Sequence, residues 1–232
     1  METAKDIYLF SGLGADGRAF SRLDLSGFRT HLVQWAKPAR RETLATYALR
    51  LSRQVTTPDP VLLGVSFGGM IAIEVAKHIR PARTILVSSA KTRAEIPPSF
   101  RLAADMGLFR LLPASWLVWP NMLMCWLFGA ASPADKKLLA SILRDSDPAF
   151  MKWALRKIAR WDNTVIPPDV CHIHGTKDRL LPASHIRSFI PIPGGGHFMI
   201  ANRHEAVGEK IRQILNGTNT PCRRQAPEAG QE

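Results

Sequence analysis

The sequence predicts an α/β architecture built on a mostly parallel sheet, and three observations carry that prediction. Short apolar runs bounded by turn residues alternate with helical periods through residue 90. Alternation of this kind implies right-handed crossovers between parallel strands. Two of the apolar runs feed directly into glycine-rich turns, Gly12-Leu13-Gly14 and Gly64-Val65-Ser66-Phe67-Gly68. The length of 232 residues and the 46% apolar content suit one domain with a substantial core.

The expected strands are Ile7–Phe10, His31–Trp35, Val61–Gly64, Thr84–Ser88, Cys171–Gly175 and Phe189–Ile192, each short, apolar and bounded by turn residues. A helix is expected over Thr43–Gln54, where Leu44, Tyr47, Ala48 and Leu51 share one face. Met70–Ile79 has the same period and stops before Pro81. Between Ser89 and about Val170 the alternation ceases and the pattern is helical, broken at Pro97-Pro98, Pro113, Pro120 and Pro133. Ser132-Pro133-Ala134-Asp135 reads as an N-cap, a first-turn proline and an acidic residue near a helix start. Asp147-Pro148 repeats the signal for a helix running through Trp161. The expected organisation is a core formed by residues 1–90 and 162–216, a helical insertion at 91–161, and a polar, aperiodic, disordered tail at 217–232.

The net charge is +12, made of +5 over residues 1–90, +6 over 91–161 and +1 over 162–232. A basic, solvated surface is the simpler account, with an acidic partner, an anionic substrate or a membrane surface as the alternatives. Leu111–Ala134 is a 24-residue stretch without formal charge. A spanning helix needs about 20 apolar residues. Pro113, Pro120-Asn121 and Ser132-Pro133 divide this stretch into short buried helices instead, so no spanning segment is expected. The polar start Met1–Asp6 carries no signal pattern. Cys125, Cys171 and Cys222 are odd in number and in no metal-ligand spacing, which makes a reducing cytoplasm the expected setting. Nothing in the pattern points to a nucleic-acid partner.

Gly12, Gly14 and Gly17 spell the dinucleotide fingerprint G-x-G-x-x-G. A ribose-binding acid should end the next strand, yet that strand ends in Gln34-Trp35-Ala36-Lys37. Lys37, Arg40 and Arg41 keep an NADP reading open as a minor alternative. That reading leaves a second constellation unexplained. Gly64-Val65-Ser66-Phe67-Gly68 is G-x-S-x-G at a strand–turn–helix junction, where a serine in a strained turn lifts its hydroxyl clear of the sheet. A serine hydroxyl needs a base to take its proton and an acid to orient the base. His197, on Pro193-Gly194-Gly195-Gly196-His197 after the last strand, is the candidate base, and Asp178, just past another strand end, the candidate acid. His172 and His174 alternate within a strand and read as packed structural histidines, while His78 lies far along its helix from Ser66.

Ser66, Asp178 and His197, in that chain order and each on a loop leaving a strand, resemble the α/β-hydrolase arrangement over about residues 5–215. The resemblance implies a small α/β-hydrolase-fold serine hydrolase with about six mostly parallel strands flanked by helices and a helical cap inserted between strands. It assigns the amides of Leu13 and Phe67 as the oxyanion donors, and it implies no metal or organic cofactor. Ser11 stands where the family commonly has histidine. The implied substrate is an ester or thioester of a largely apolar acyl group. Cap apolar residues, most of them expected to be cap core and anchoring contacts, include Phe109, Trp116, Trp119, Met122, Met124, Trp126 and Phe128, and the sequence does not say which face the site. Lys152, Arg156 and Arg160, with Lys157 beside them, form a basic stripe that suggests docking of an acidic acyl carrier protein, with a solvated helix face as the plainer account. Two other readings stay open on sequence: a non-catalytic ligand- or partner-binding protein of this fold, and a lyase using the same triad.

Overall fold

The computed structural model describes residues 5–39, 41–108 and 113–217. Six strands, β1 (Asp6–Phe10), β2 (Arg29–Leu32), β3 (Val61–Val65), β4 (Arg83–Val87), β5 (Val170–Gly175) and β6 (Ile190–Ile192), form one sheet in the order β2-β1-β3-β4-β5-β6. Every pairing is parallel. A parallel sheet must be covered on both faces, and strand alternation divides the core accordingly. Tyr8, Phe10, Leu62 and Leu86 face α1 (Leu44–Ser52) and α2 (Phe67–Ile79), packing with Tyr47, Leu51 and Ile71. Ile7, Leu9, Leu63, Ile85 and Ile173 point the other way, into a cluster with Val207, Ile211 and Ile214. Those three lie on the C-terminal helix, His204–Leu215.

Among the described residues, the helices between β4 and β5 include α3 (Pro98–Asp105), α4 (Ala114–Leu117), α5 (Met122–Phe128), α6 (Pro133–Asp145) and α7 (Pro148–Ala159). The start signals read from the sequence are in place. Ser132 and Asp135 form a capping box at α6, and the Asp147 side chain accepts from the Ala149 amide at α7. A short α8 (Met199–Asn202) precedes the C-terminal helix, α9. Among the described residues no helix is long and apolar enough to cross a membrane. Residues 218–232 of the expected tail at 217–232, and Arg40 and Phe109, lie outside the described residues.

Several element ends differ from the sequence expectation by a residue or more, and in three the contacts show why. The second strand is Arg29–Leu32 rather than His31–Trp35, because it is an edge strand registered against β1 by side chains. Arg29 donates from Nε and Nη2 to the two oxygens of Asp6, at 3.1 and 2.7 Å, and His31 Nε2 lies 2.7 Å from Asp6 Oδ1. Trp35 leaves the sheet, and its indole donates to Ser11 Oγ at 2.9 Å. The α2 helix begins at Phe67 rather than Met70, taking in two glycines of low intrinsic propensity that the turn requires. The last strand lacks Phe189, whose ring meets His174 edge-on at 5.6 Å.

Chain order reverses at β1, which has β2 on one side and β3 on the other. In such sheets the crevice beyond the carboxyl ends of the strands at this point is the usual ligand site. The loops after β1 and β3 meet there. A Cβ on Gly68 would collide with the carbonyl oxygens of Phe10 and Ser11, and one on Gly64 would collide with the Gly69 backbone. Gly68→Ala should lower the unfolding free energy by about 3 kcal/mol, because backbone rather than a flexible side chain must move. Urea unfolding followed by circular dichroism measures this; a midpoint equal to wild type would contradict the close packing.

Candidate active site

Ser66 sits at the junction of β3 and α2 with φ 52° and ψ −120°, a conformation that strains a residue bearing a Cβ. Its amide donates to Val87 O at 2.9 Å, and its carbonyl accepts from Ser89 Oγ at 2.7 Å, so the turn is held from the adjacent strand. The Ser66 hydroxyl oxygen lies 2.8 Å from His197 Nε2, and His197 Nδ1 lies 2.8 Å from Asp178 Oδ2. The other carboxylate oxygen, Oδ1, accepts the amides of Leu180 and Leu181, both at 2.9 Å. An ionised carboxylate only accepts, so Nδ1 carries the proton and Nε2 is left to accept from Ser66. The structure thus brings Ser66, His197 and Asp178 into one hydrogen-bonded chain.

Burial alone would raise the Asp178 pKa, but the His197 charge and hydrogen bond, with the Leu181 amide, outweigh it and hold the carboxyl below its ordinary 3.8. A depressed folded value means that Asp178 ionisation stabilises the fold above pH 3.8 and that this contribution is lost as pH falls below it.

The Phe67 amide is the first of α2, where backbone N–H groups have no intrahelical acceptor and the helix dipole favours negative charge. Leu13 lies in the loop after β1, where Gly12 is close enough that an added Cβ would sit 3.8 Å from the Ser66 Cβ. Ser11 takes over the loop bracing. Fully buried, it donates from Oγ to Ala15 O at 2.6 Å and accepts the Trp35 indole proton. The glycine loop therefore faces Ser66. A narrow cavity of about 60 Å³ beside Ser66 and His197 is lined by Leu13, Phe128, Leu139, Ile142, Leu143 and Ile200, among others.

Leu139, Ile142 and Leu143 were missed by sequence reasoning, although their i, i+3, i+4 spacing on α6 marks an apolar face. The aromatic residues of this segment are the stronger apolar signal in the sequence. Phe128 does reach the cavity, its ring edge-on to His197 at 5.4 Å. Trp116, Trp119, Met122 and Trp126 are more than half exposed instead of forming a core, and Met124 is partly buried. The basic stripe is also altered by packing. Lys152, Arg156 and Lys157 are half-buried, Arg156 Nε donates to Lys152 O, and only Arg160 of the four is exposed. His172 and His174 are buried and hydrogen-bonded within the core, as their strand position suggests. Among the described residues no three His, Cys, Asp or Glu side chains are grouped to hold a metal ion.

The sequence profile of the alpha/beta hydrolase family matches residues 5–209, and the chain belongs to that family. Solved structures share the fold at low identity. A thermophilic esterase from Thermogutta terrifontis is 20% identical with a TM-score of 0.67, covering 94% of this chain and 92% of that one. A lipase-esterase related protein from Clostridium acetobutylicum is 17% identical with a TM-score of 0.67, covering 92% and 96%. A bromoperoxidase from Bacillus anthracis is 15% identical with a TM-score of 0.61, covering 92% of both chains. No curated protein matches the sequence significantly.

Two outcomes follow from this geometry. Ser66→Gly removes the strained side chain and should raise the unfolding free energy by about 1 kcal/mol, whereas an equal or lower value would mean the turn is unstrained. Asp178→Asn should flatten the fall of stability with pH just below 3.8, measured by urea unfolding at a series of pH values; an unchanged slope would show that Asp178 is not held ionised.

Proposed function

We propose that the protein is a serine hydrolase that cleaves an ester or thioester of a short apolar acyl group through an acyl-enzyme. The observation that carries this reading is the pair of 2.8 Å contacts linking Ser66 to His197 and His197 to Asp178. Ser66 Oγ attacks the acyl carbonyl as His197 Nε2 takes its proton, and the Asp178 carboxylate stabilises the imidazolium that forms. The carbonyl oxygen, now anionic, lies between the amides of Leu13 and Phe67. His197 protonates the leaving group, then takes a proton from water as that water attacks the acyl-serine, and returns it to Ser66 Oγ as the acyl–oxygen bond breaks and the acid departs.

The apolar cavity beside Ser66 supports the substrate class, and its volume of about 60 Å³ accommodates an acyl group of only a few carbons without side-chain movement. Residues 91–161 are proposed as the cap of this site, with α5 contributing Phe128 and α6 contributing Leu139, Ile142 and Leu143 to the wall. A small-molecule ester is preferred over a carrier-bound chain, because the α7 charges that would dock a carrier are half-buried.

Hydrolysis of p-nitrophenyl esters of graded length tests the reading. The acetate and butyrate should be cleaved with kcat/KM at least about tenfold above the dodecanoate, since a long chain exceeds the cavity. Ser66→Ala should cost a factor on the order of 10³ or more, and Asp178→Asn on the order of 10³–10⁴, in kcat. Activity surviving Ser66→Ala would overturn the mechanism, and a preference for the dodecanoate would overturn the short-acyl assignment.

A further inference from the structure

The chain of buried polar groups continues behind Asp178. Alternation along β5 puts His172 and His174 on one face, opposite Cys171 and Ile173, and the two rings stand perpendicular with centroids 5.1 Å apart. His174 Nε2 lies 2.8 Å from Leu181 O and 3.6 Å from Asp178 Oδ2. Its Nδ1 lies 3.2 Å from His172 Nε2, and His172 Nδ1 lies 3.1 Å from Lys91 Nζ. Lys91 Nζ also meets Glu95 Oε1 at 2.9 Å and Arg187 O at 2.5 Å. His174, His172, Glu95 and Lys91 are 0%, 2%, 2% and 4% exposed, so water does not supply their partners.

Donor and acceptor types fix the proton positions. Leu181 O and the Asp178 carboxylate only accept, so His174 Nε2 carries a hydrogen. The Lys91 ammonium only donates, so His172 Nδ1 is bare. Two neutral imidazoles then have one consistent arrangement, in which His172 Nε2–H donates to His174 Nδ1. The Ser89 amide also reaches His172 Nε2, at 3.4 Å, and would need that nitrogen bare; the shorter contacts of His172 Nδ1 to Lys91 and of Nε2 to His174 outweigh it. Both rings are held neutral. Burial, followed by the Lys91 charge and His174, pushes His172 well below its ordinary value. Burial also lowers His174, against the opposing pull of Asp178.

We propose that His174 is a positioning residue for Asp178: Lys91, acting through His172, fixes the tautomer in which His174 Nε2–H holds the Leu181 carbonyl and faces the Asp178 carboxylate. The proposal rests on the catalytic reading of Ser66, His197 and Asp178. The opposite tautomer would set a lone pair against Leu181 O and Asp178 Oδ2, repelling the turn whose amides grip Oδ1. Misplacing a catalytic group by about 1 Å costs up to about a hundredfold in rate, so a small rotation of this carboxylate matters.

Nitrogen-15 spectra of the histidine-labelled wild-type protein at neutral pH read the tautomers directly. Protonated Nε2 and bare Nδ1 on both His172 and His174 are expected, and Nδ1–H or an imidazolium at His174 overturns the proposal. In parallel, His174→Phe should lower kcat on p-nitrophenyl acetate about ten- to a hundredfold with KM changed less than about threefold. His174→Gln, whose amide reaches where Nε2–H lay, should recover most of that loss. A His174→Phe kcat equal to wild type overturns the proposal, and so does a His174→Gln kcat as low as that of the Phe variant. Should His174→Phe fail to fold, the wild-type spectrum and the Gln variant decide. A wild-type protein that hydrolyses no ester contradicts the triad reading while the spectrum still tests the relay. Activity abolished by Ser66→Ala, combined with the wrong His174 tautomer, contradicts the relay alone.

Discussion

Between Val65 and Phe67 the chain passes from a central strand into a helix through a residue with φ 52°, and the arrangement of the rest of the site depends on that turn being held. A conformation of this kind costs on the order of 1–3 kcal/mol and persists only where its surroundings overdetermine it. Here β3 lies between β1 and β4, Ser66 is tied through both its amide and its carbonyl to the segment at the end of β4, and glycine on either side lets backbone meet backbone. The strain is offset by burial on both sheet faces. In return the hydroxyl stands at the carboxyl edge, beside the first amide of α2 and the loop that follows β1.

Asp178 and His197 reach that edge as one unit. Their loops leave neighbouring strands, β5 and β6, and are cross-linked to each other. The Thr176 amide donates to Ile192 O at 3.1 Å, the Lys177 amide to Gly195 O at 2.9 Å, and the Gly194 amide to Thr176 Oγ1 at 2.9 Å. The α5 helix is fastened to the same loops. Phe128 O accepts the Phe198 amide at 2.8 Å, while Arg179 donates to Trp126 O at 2.6 Å and lays its guanidinium over the Trp126 ring. Movement of the helical segment would thus be felt next to both Asp178 and His197.

Much of this was legible in the sequence, for identifiable reasons. Parallel strands buried on both faces leave unbroken apolar runs, so β1, β3, β4 and β5 stand out by composition alone. Ser66 and Asp178 follow such runs within a few residues and His197 follows the shorter β6, which is what marked the three as candidates. The edge strand was misplaced because Asp6, Arg29 and His31 register it by ion pairing and hydrogen bonding, while the apolar Val33 and Trp35 only resemble strand. The cavity wall was harder still. Three tryptophans and a methionine suggested a core, yet they face outward, and ordinary aliphatics at Leu139, Ile142 and Leu143 line the site. Composition reports that a segment is apolar; which face turns inward is decided by contacts distant in sequence. The same limit hid Lys91, whose acceptors include Glu95, His172 and Arg187.

If Ser66 is the nucleophile, an electrophile bonds to it and turns its oxygen toward the amides of Leu13 and Phe67. A crystal structure of the protein treated with a small fluorophosphonate measures both. The geometry predicts phosphorus bonded to Ser66 Oγ, one phosphoryl oxygen accepting the amides of Leu13 and Phe67, and His197 still hydrogen-bonded to Asp178. An adduct on another residue, or a phosphoryl oxygen turned away from those two amides, would contradict it.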